Sequence, residues 1–343
     1  MSDSYDVIVI GAGIAGLAAA QELRRHGRRT LMLDKGRQVG GRMATRRVEG
    51  DVFDTGAQFF TAVSPEFRAV VEAAAAAGAV AQWYQRPPRA PDGATLPVWR
   101  GATGMTDLPK WIAANLQRDA DFQLHLSTRV TELQHDRDQV LVWSEAAGSD
   151  PWVAGAVILT PPLPQAITVL PQVVRDAIDA ELVQRTYDPC LALLLSLDSP
   201  LPPVFNEHGW FRPPEREHPI AWVADNAVKG LPGGSRSAHL TIHSSPAVAR
   251  RLYDNDQEAT AALGEALREL FPTEFRPRID RALPTATLKK WRFARPTGRS
   301  DELSVAVTPQ CILAGDAFGG ARVEGAFSSG HHAATRVLGR YGV

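Results

Sequence analysis

Three glycines near the start of the chain have the spacing of a phosphate-binding loop. Gly11, Gly13 and Gly16 fit the pattern G-x-G-x-x-G. In that pattern the first glycine permits a tight turn, the second lets the backbone approach a pyrophosphate, and the third lets a helix pack closely on a strand. Asp34 follows about 20 residues later, where a carboxylate can accept a hydrogen bond from a ribose hydroxyl. These residues predict a dinucleotide site.

Three further positions have chemistry suited to the rest of a long dinucleotide. Arg42 follows a glycine pair, and its guanidinium can reach a pyrophosphate. Asp316, far along the chain, can accept hydrogen bonds from ribityl hydroxyls. A helix that begins near Glu324 and Gly325 can direct its positive end at the flavin N1–C2=O edge, where negative charge develops on reduction. The sequence therefore predicts FAD, held at both ends.

The predicted FAD site also includes residues around these motifs. Val130 lies in a strand-like run that can offer backbone groups to an adenine, and Thr160 ends a buried apolar run. No metal site is predicted. The predicted cofactor contacts are Gly11, Ala12, Gly13, Ile14, Ala15, Gly16, Asp34, Lys35, Gly41, Arg42, Met43, Gly56, Ala57, Gln58, Val130, Thr160, Gly315, Asp316, Val323, Glu324, Gly325 and Ala326.

Four residues are candidates for the substrate pocket and are predicted as catalytic residues. Gln58 and Phe59 place an amide beside aromatic rings after a glycine turn, a composition suited to the wall of a flat ring's pocket. His243 lies in an alternating strand, and Trp291 shares one strand face with Lys289. All eight tryptophans lie between positions 83 and 291. An aromatic-lined substrate region is one explanation, although core packing is the commoner role of any single tryptophan.

The hydrophobic pattern predicts an α/β protein with a Rossmann-like start. The apolar run 7–10 predicts a strand buried on both faces, helical spacing follows, and residues 30–33 predict a second strand. Further strands are predicted over residues 122–160 (four runs forming a β-meander), 190–197, 278–293 and 311–314, and helices over 64–78, 106–116, 171–183, 246–271 and 322–339.

Composition narrows the class of protein. The 343 residues carry a formal net charge of −1, so no basic face indicates nucleic acid or anionic lipid. Cys190 and Cys311 both lie in apolar runs, which leaves no disulfide framework and is typical of a reducing cytoplasm. No apolar run reaches transmembrane length. We therefore predict a cytoplasmic protein without a nucleic-acid or membrane partner.

Five longer motifs together carry a family resemblance. They are GAGIAGL, GGRM, DTGAQFFT, WRFA and AGDAFGGARVEGAFSSG. With them the chain resembles, over nearly its whole length, the bacterial renalase-like flavoproteins of the flavin amine oxidase superfamily. The resemblance implies non-covalent FAD and a Rossmann-like FAD-binding domain of the p-hydroxybenzoate hydroxylase type with an interleaved α+β substrate domain. The expected FAD-binding domain comprises residues 1–60, 104–165 and 295–343, and the substrate domain residues 61–103 and 166–294.

The resemblance also implies an activity. Renalase-like proteins oxidise the 1,2- and 1,6-dihydro isomers of NAD(P), passing hydride to flavin N5 and electrons to O2, which gives NAD(P)+ and H2O2. Such a reaction needs positioning rather than a strong base, because a dihydropyridine that loses hydride becomes an aromatic cation. Arg292 or Lys289 would then lie near a substrate phosphate. The family often carries a tryptophan after its His-x-Ser-Pro step, whereas Ala247 and Val248 follow here.

Two alternatives stay open at this point. An amine oxidase or carbon–carbon desaturase of the same fold would need a base, a buried lysine or an aromatic pair, and Lys289 beside Trp291 could supply the lysine. A flavin-less binding protein similar to the GDP dissociation inhibitors would dispense with the flavin contacts, yet Arg42, Asp316 and Gly325 are all present. A dehydrogenase with a separate NADPH domain is disfavoured, because the sequence has no second G-x-G-x-x-G.

Overall fold

Two large sheets and the helices packed on them carry the residues singled out above. The computed structural model describes residues 4–87, 93–145, 150–198, 205–215, 217–234, 238–298 and 300–342. In chain order its strands are β1 Ser4–Ile10, β2 Thr30–Leu33, β3 Thr45–Val48, β4 Asp51–Asp54, β5 Val80–Arg86, β6 Leu96–Gly101, β7 Phe122–His125, β8 Val130–Asp136, β9 Gln139–Ser144, β10 Trp152–Leu159, β11 Tyr187–Leu197, β12 Trp210–Phe211, β13 Ile220–Asp225, β14 Ala238–Ser244, β15 Thr287–Pro296, β16 Val305–Thr308 and β17 Cys311–Leu313. Its helices are α1 Ile14–Arg25, α2 Pro65–Ala76, α3 Asp107–Leu116, α4 Leu163–Thr168, α5 Gln172–Ala177, α6 Ala180–Val183, α7 Pro246–Leu252, α8 Asp256–Leu270, α9 Arg276–Ala282, α10 Asp316–Gly319 and α11 Val323–Gly339.

The first sheet has eight strands and lies behind the glycine loop. Its order is β16-β17-β10-β1-β2-β7, with β9 and β8 attached to β10 as an antiparallel extension. Strands β17, β10, β1, β2 and β7 run parallel. Alternate side chains of β1 enter two different cores, with Val7 and Val9 packing towards α1, α3 and α11, and Ile8 and Ile10 towards α4–α6. The predicted α/β fold, with its doubly buried first strand, is confirmed.

The second sheet is antiparallel, with the order β12-β13-β14-β11-β15. Helices α7, α8 and α9 cover one of its faces, where Leu240 and Ile242 of β14 join the core. The residues that alternate with them, including Thr241 and His243, are on the opposite face, and β14 contacts β4 there. Two hairpins, β3–β4 and β5–β6, complete the strands among the described residues. No helix in the described ranges is long and apolar enough to cross a membrane.

Several predicted elements differ from those observed. Strand β7 pairs in parallel with β2, so only β8, β9 and β10 form the predicted meander. Residues 171–183 form two short helices, because Asp179 accepts a hydrogen bond from the Glu181 N–H and starts α6 anew. Residues 246–271 also split, because Asn255 caps α8. Residues 278–293 begin inside α9, and only their second half joins strand β15.

The strands of the two sheets follow the expected division of the chain. All strands of the first sheet lie within residues 1–60, 104–165 and 295–343. The second sheet lies within residues 166–294 except for the last two residues of β15. The domain boundaries themselves stay a prediction.

Helices α1 and α11 cross with almost no side chain between them. A Cβ atom at Gly330 would lie 1.8 Å from the carbonyl oxygen of Ala15, which is far inside van der Waals contact. The N-terminal ends of these two helices carry the predicted contacts to the pyrophosphate and to the flavin ring of FAD. The crossing therefore sets the distance between those ends.

Substitution at Gly330 tests this crossing. Gly330→Ala is expected to lower the free energy of unfolding by at least about 2 kcal/mol, because the added methyl group must push the helices apart. Gly339→Ala is the matched control in the same helix, where a Cβ would meet nothing within 4 Å. It should leave stability unchanged or raise it by up to about 1 kcal/mol. Chemical denaturation measures both variants, and equal stabilities would contradict the close crossing.

Candidate active site

The glycine loop has a separate physical requirement at each glycine. Gly11 has φ +104°, and a Cβ there would lie 2.5 Å from the Thr160 hydroxyl. A Cβ at Gly16 would lie 1.9 Å from the Gly11 carbonyl oxygen, so helix α1 reaches the strand end only without a side chain. Gly13 differs, because a Cβ there would meet nothing within 4 Å. The fold needs the first and third glycines, and the second leaves an open approach to the helix end.

Asp34 lies beside this loop at the end of β2. Its two carboxylate oxygens accept hydrogen bonds from the N–H groups of Ala12 (2.6 Å) and Gly36 (2.6 Å), and each keeps the capacity for another. Val130 begins β8 two residues after Thr128, whose N–H donates to the Asp34 carbonyl. The structure thus brings Val130 to the Asp34 side of the loop. Lys35, in contrast, is exposed and donates to the Gln165 side chain.

Two helix ends point backbone N–H groups at the predicted cofactor. No side-chain hydrogen bond caps α1 at Gly13 or α11 at Arg322. Uncapped N–H groups and the helix dipole favour a negative ligand. Thr160 holds the end of β1, just before the glycine loop and α1, because its hydroxyl donates to the Ile10 carbonyl (2.9 Å). A Cβ at Gly325 would lie 2.2 Å from the Gly319 carbonyl, so α11 begins against α10.

The Glu324 side chain has a partner other than the one its position suggests. Its Oε1 atom accepts hydrogen bonds from the N–H groups of Val63 (2.6 Å) and Ser64 (2.7 Å). These groups lie at the start of α2, where Ser64, at the N-cap position, makes no side-chain cap bond. Glu324 therefore ties α11 to α2 through its carboxylate.

Arg42 and Asp316 meet as a bidentate ion pair. The two guanidinium–carboxylate contacts are 2.5 and 2.7 Å, and Arg42 also donates to the carbonyl groups of Phe293 and Ala294 at 3.3 Å. Arg42 lies in a 3₁₀ turn, Gly41–Met43, in which Met43 is buried in the core. The turn that holds Arg42 is joined to the glycine loop by a hydrogen bond from the Gly40 N–H to the Ala12 carbonyl. Motifs far apart in sequence thus form one site.

A single main-chain carbonyl is bound by two of the predicted catalytic residues. Thr55 O accepts hydrogen bonds from Trp291 Nε1 (2.8 Å) and His243 Nε2 (3.1 Å). Burial lowers the pKa of His243 to about 4, although its bond to Thr55 opposes the shift. The imidazole is therefore neutral near pH 7, with its proton on Nε2. The next residue, Gly56, packs so closely on Arg42 that a Cβ would lie 2.0 Å from the Arg42 carbonyl oxygen.

Gln58 presents one fixed acceptor. Its Nε2 atom donates to the carbonyl groups of Asp54 (2.5 Å) and Gly56 (3.1 Å), which fixes the orientation of the amide. The residue is only 6% exposed, and its Oε1 atom has no hydrogen-bond partner in the described part of the chain. Ala57 completes the turn, with its N–H donating to the Arg42 carbonyl (2.9 Å). A buried acceptor without a donor is costly unless a ligand supplies one.

Phe59 belongs to an aromatic cluster, which we define as Phe59, Trp83, Trp210 and Trp222. The Phe59 ring centre lies 6.1 Å from Trp83 and 5.8 Å from Trp222, and Trp222 stacks on Trp210 at 4.7 Å. The three indole Nε1 atoms are buried and have no partner among the described residues. The guanidinium of Arg86 lies 5.5 Å above the Phe59 ring. The sequence analysis did not single out the three tryptophans or Arg86, although the confinement of all tryptophans to positions 83–291 indicated an aromatic region.

The charged residues of β15 do not all face this site. Lys289 lies over the Trp291 ring at 4.8 Å, on the pocket side of the strand. Arg292 lies on the other face, over Tyr253 and 4.0 Å from Asp254. The expectation that Arg292 approaches a substrate phosphate is therefore wrong, because the two-residue period of the strand turns it away.

The two cysteines differ in their relation to the site. Cys190 pairs with Trp291 across β11 and β15, so it lies on the strand beside the pocket, while Cys311 is buried in β17. Burial raises the pKa of both thiols to about 12. Because the thiolate is the nucleophile, this environment disfavours a thioether to the cofactor. It supports the expectation of non-covalent binding.

Comparison with known families decides the class of protein. Residues 89–338 match the family described as "Flavin containing amine oxidoreductase", and residues 9–74 match "NAD(P)-binding Rossmann-like domain". The chain belongs to the flavin containing amine oxidoreductase family. Membership confirms the predicted flavin cofactor and the predicted superfamily. The glycine loop, Asp34 and the two uncapped helix ends fit FAD, a dinucleotide with phosphates to bind.

Individual relatives share shorter stretches. The "Putative flavin-containing monoamine oxidase AofH" of Mycobacterium tuberculosis is 40% identical over 99 residues, 29% of this chain and 20% of that protein. Pseudooxynicotine dehydrogenase of a Pseudomonas species is 44% identical over 52 residues, 15% of this chain and 10% of that protein. These alignments span a fifth or less of the curated relatives. A putrescine oxidase structure with bound putrescine covers 99% of this chain and 100% of its own, with TM-score 0.70 and 14% identity, a likeness of fold.

Substitution of Gly13 separates cofactor binding from folding. Gly13→Val is expected to fold with nearly the stability of the wild-type apoprotein, because its Cβ would meet no protein atom within 4 Å, yet to lose bound flavin by blocking the pyrophosphate. Gly16→Val is the contrasting variant and should not fold, since its Cβ would lie 1.9 Å from a backbone oxygen. The ratio of flavin to protein absorbance and the thermal midpoint of the apoprotein measure the two effects. Full flavin occupancy in Gly13→Val would contradict the assignment.

The lowered pKa of His243 predicts that the stability of the folded protein depends on pH. Between its folded pKa of about 4 and the ordinary value of 6.5, the unfolded chain binds a proton that the folded protein excludes. Stability is therefore complete above about pH 6.5 and falls towards pH 4, by on the order of 2–3 kcal/mol. His243→Gln keeps an N–H donor for Thr55 and removes the titration. Denaturation between pH 4 and 8 should show a shallower loss in the variant, and parallel curves would count against the assigned environment.

Proposed function

We propose that this protein is an FAD-dependent oxidase that takes hydride from a dihydronicotinamide isomer, the 1,2- or 1,6-dihydro form of NAD(P), with NAD(P)+ and H2O2 as products. The observation that carries the proposal is the set of buried polar atoms without partners at the aromatic cluster. Gln58 Oε1 needs a donor, and the three indole N–H groups need acceptors. A carboxamide on a flat ring supplies both. A simple alkyl amine has no carbonyl oxygen to offer as an acceptor.

The acid–base groups of the pocket also support a hydride donor. His243 is neutral, has a conjugate-acid pKa of about 4 and commits its N–H to Thr55. Asp54 is occupied by Lys229, 2.6 Å away. Bound FAD would supply the hydride acceptor and pass the electrons to O2. The residues of the chain would hold the substrate ring between aromatic side chains and exclude water, so that positioning supplies much of the acceleration.

Arg86 supports an anionic substrate. It lies over Phe59 at the cluster and forms no ion pair with a carboxylate in the described part of the chain. A dinucleotide carries phosphates that a guanidinium binds well, whereas a cationic amine would be repelled. The described structure thus offers Arg86 for the role that the sequence assigned to Arg292 or Lys289.

Amine oxidation is the second candidate. Membership of the family, the name of the mycobacterial relative and the fold shared with putrescine oxidase favour it. The aromatic cluster would also suit an alkylammonium group through cation–π contact. The fully buried lysine near the aromatic cluster is Lys229, 5.3 Å from the Trp83 ring centre and paired with Asp54, whereas Lys289 is half-buried.

Anaerobic reduction of the bound flavin distinguishes the two candidates. The holoenzyme is mixed with 1,2- and 1,6-dihydroNAD(P), 1,4-NADH, putrescine and benzylamine while flavin absorbance is followed. The isomers should bleach the flavin rapidly with weak pH dependence between pH 6 and 9, because no proton is removed first. Ordinary NADH should react slowly. Rapid bleaching by an amine, rising about tenfold per pH unit below its pKa and absent with the isomers, would establish the second candidate instead.

Arg86→Met extends the same assay to substrate charge. For a dihydronicotinamide dinucleotide we expect the half-saturating concentration to rise about tenfold, with the limiting rate nearly unchanged, because one charge-assisted contact of about 1.5 kcal/mol is lost. Arg292→Met is the matched control, since Arg292 also lies over an aromatic ring, but on the other face of β15. Equal effects of the two variants would contradict the assignment of Arg86 to the substrate site.

A further inference from the structure

A fully buried ion pair lies directly behind the pocket. Lys229 Nζ lies 2.6 Å from Asp54 Oδ2, and both side chains have 0% exposure. The other carboxylate oxygen of Asp54 accepts hydrogen bonds from the Thr45 hydroxyl (2.7 Å) and the Met105 N–H (2.7 Å). Burial lowers the pKa of Lys229, and the Asp54 carboxylate opposes that shift. The Asp54 carboxylate therefore has three donors, and both side chains are shielded from solvent.

The pair joins the β3–β4 hairpin to the second sheet, next to the turn that follows β4. Asp54 ends β4 and immediately precedes Thr55, whereas Lys229 lies between β13 and β14 of the second sheet. The main chain of Asp54 is held from both directions. Its N–H donates to Asn226 Oδ1 (3.3 Å), and its carbonyl accepts from Gln58 Nε2 (2.5 Å). Asn226 in turn donates to the His239 carbonyl and the Thr241 hydroxyl of β14.

The cost of burying two charges indicates that this pair fixes a local geometry rather than stabilising the fold. Removing two charges from water is costly, and apolar residues of similar volume are often as stable as a buried ion pair. A buried pair can instead specify one arrangement, since the lysine must meet its carboxylate at one distance and direction. Here that arrangement fixes the residue from which Thr55 and Gln58 follow. The Thr55 carbonyl binds Trp291 and His243, and Gln58 carries the buried acceptor without a partner among the described residues.

We infer that Lys229 and Asp54 are positioning residues that hold the Thr55–Phe59 turn in register with the second sheet. The pair sets where the Thr55 carbonyl meets Trp291 and His243, and where Gln58 Oε1 faces the pocket. It does not touch substrate itself. The inference concerns the shape of the site and applies whichever substrate class is oxidised, so it can fail independently of the proposed function.

The test uses a charge-free double variant, Asp54→Asn with Lys229→Met, as the holoenzyme. Neither buried charge is then left unpaired, so we expect the thermal midpoint to stay within a few degrees of wild type. Protein labelled with ¹⁵N-tryptophan reports the indole N–H of Trp291, assigned with Trp291→Phe. We expect that signal to shift or broaden, the visible spectrum of the bound flavin to change, and kcat to fall at least tenfold with a smaller change in KM.

A matched control removes another ion pair. Arg24→Met with Asp119→Asn deletes a bidentate pair between α1 and the loop before β7, away from the pocket. It should leave the Trp291 signal and kcat unchanged. A purely structural role of Lys229 and Asp54 predicts the same result for both double variants, and a wild-type Trp291 signal with kcat within twofold would overturn the inference. If the double variant does not fold, Lys229→Met alone, in which Asp54 keeps the Thr45 hydroxyl and the Met105 N–H as donors, is judged by the same two readouts.

Discussion

Backbone contact at helix α1 is the constraint on which both ends of the cofactor site depend. On one side, α1 approaches the end of β1 so closely that Gly16 has room for no Cβ beside the Gly11 carbonyl. On the other, the Ala15 carbonyl touches Gly330 of α11. Rigid backbone rather than adjustable side chains therefore separates the glycine loop from the second helix end. The ion pair between Arg42 and Asp316 is a second link between the two parts of the site.

The parts of the fold that the sequence predicted well are those where sterics leave one choice of residue. Gly11 and Gly16 belong to this group, because any side chain would overlap a neighbouring atom. Strand β1 was predictable for a related reason, since burial on both faces requires an unbroken apolar run. Strand β7 was misassigned because a short apolar strand has the same local pattern in parallel and antiparallel sheets. Helix α9 has only Ile279 and Ala282 buried, too few positions to establish a period.

The site itself was only partly predictable, because several of its contacts have no signature in residue type. Thr55 acts through a main-chain carbonyl, which every residue possesses. Glu324 was placed correctly at the start of α11, but its carboxylate reaches α2, a contact that depends on tertiary packing. Lys229 forms an ion pair with Asp54, which lies 175 residues earlier in the sequence. An isolated lysine in a loop is ordinarily a solvated side chain, so only the three-dimensional structure distinguishes it.

The aromatic cluster comes from parts of the chain that the cofactor motifs do not use. Trp83 lies in the β5–β6 hairpin, and Trp210 and Trp222 lie in the edge strand of the second sheet and in its neighbour, β12 and β13. Evolution can therefore exchange these residues one at a time while the glycine loop, Arg42 and Asp316 stay unchanged. Proteins that inherit one such frame can diverge in substrate without any change to the frame.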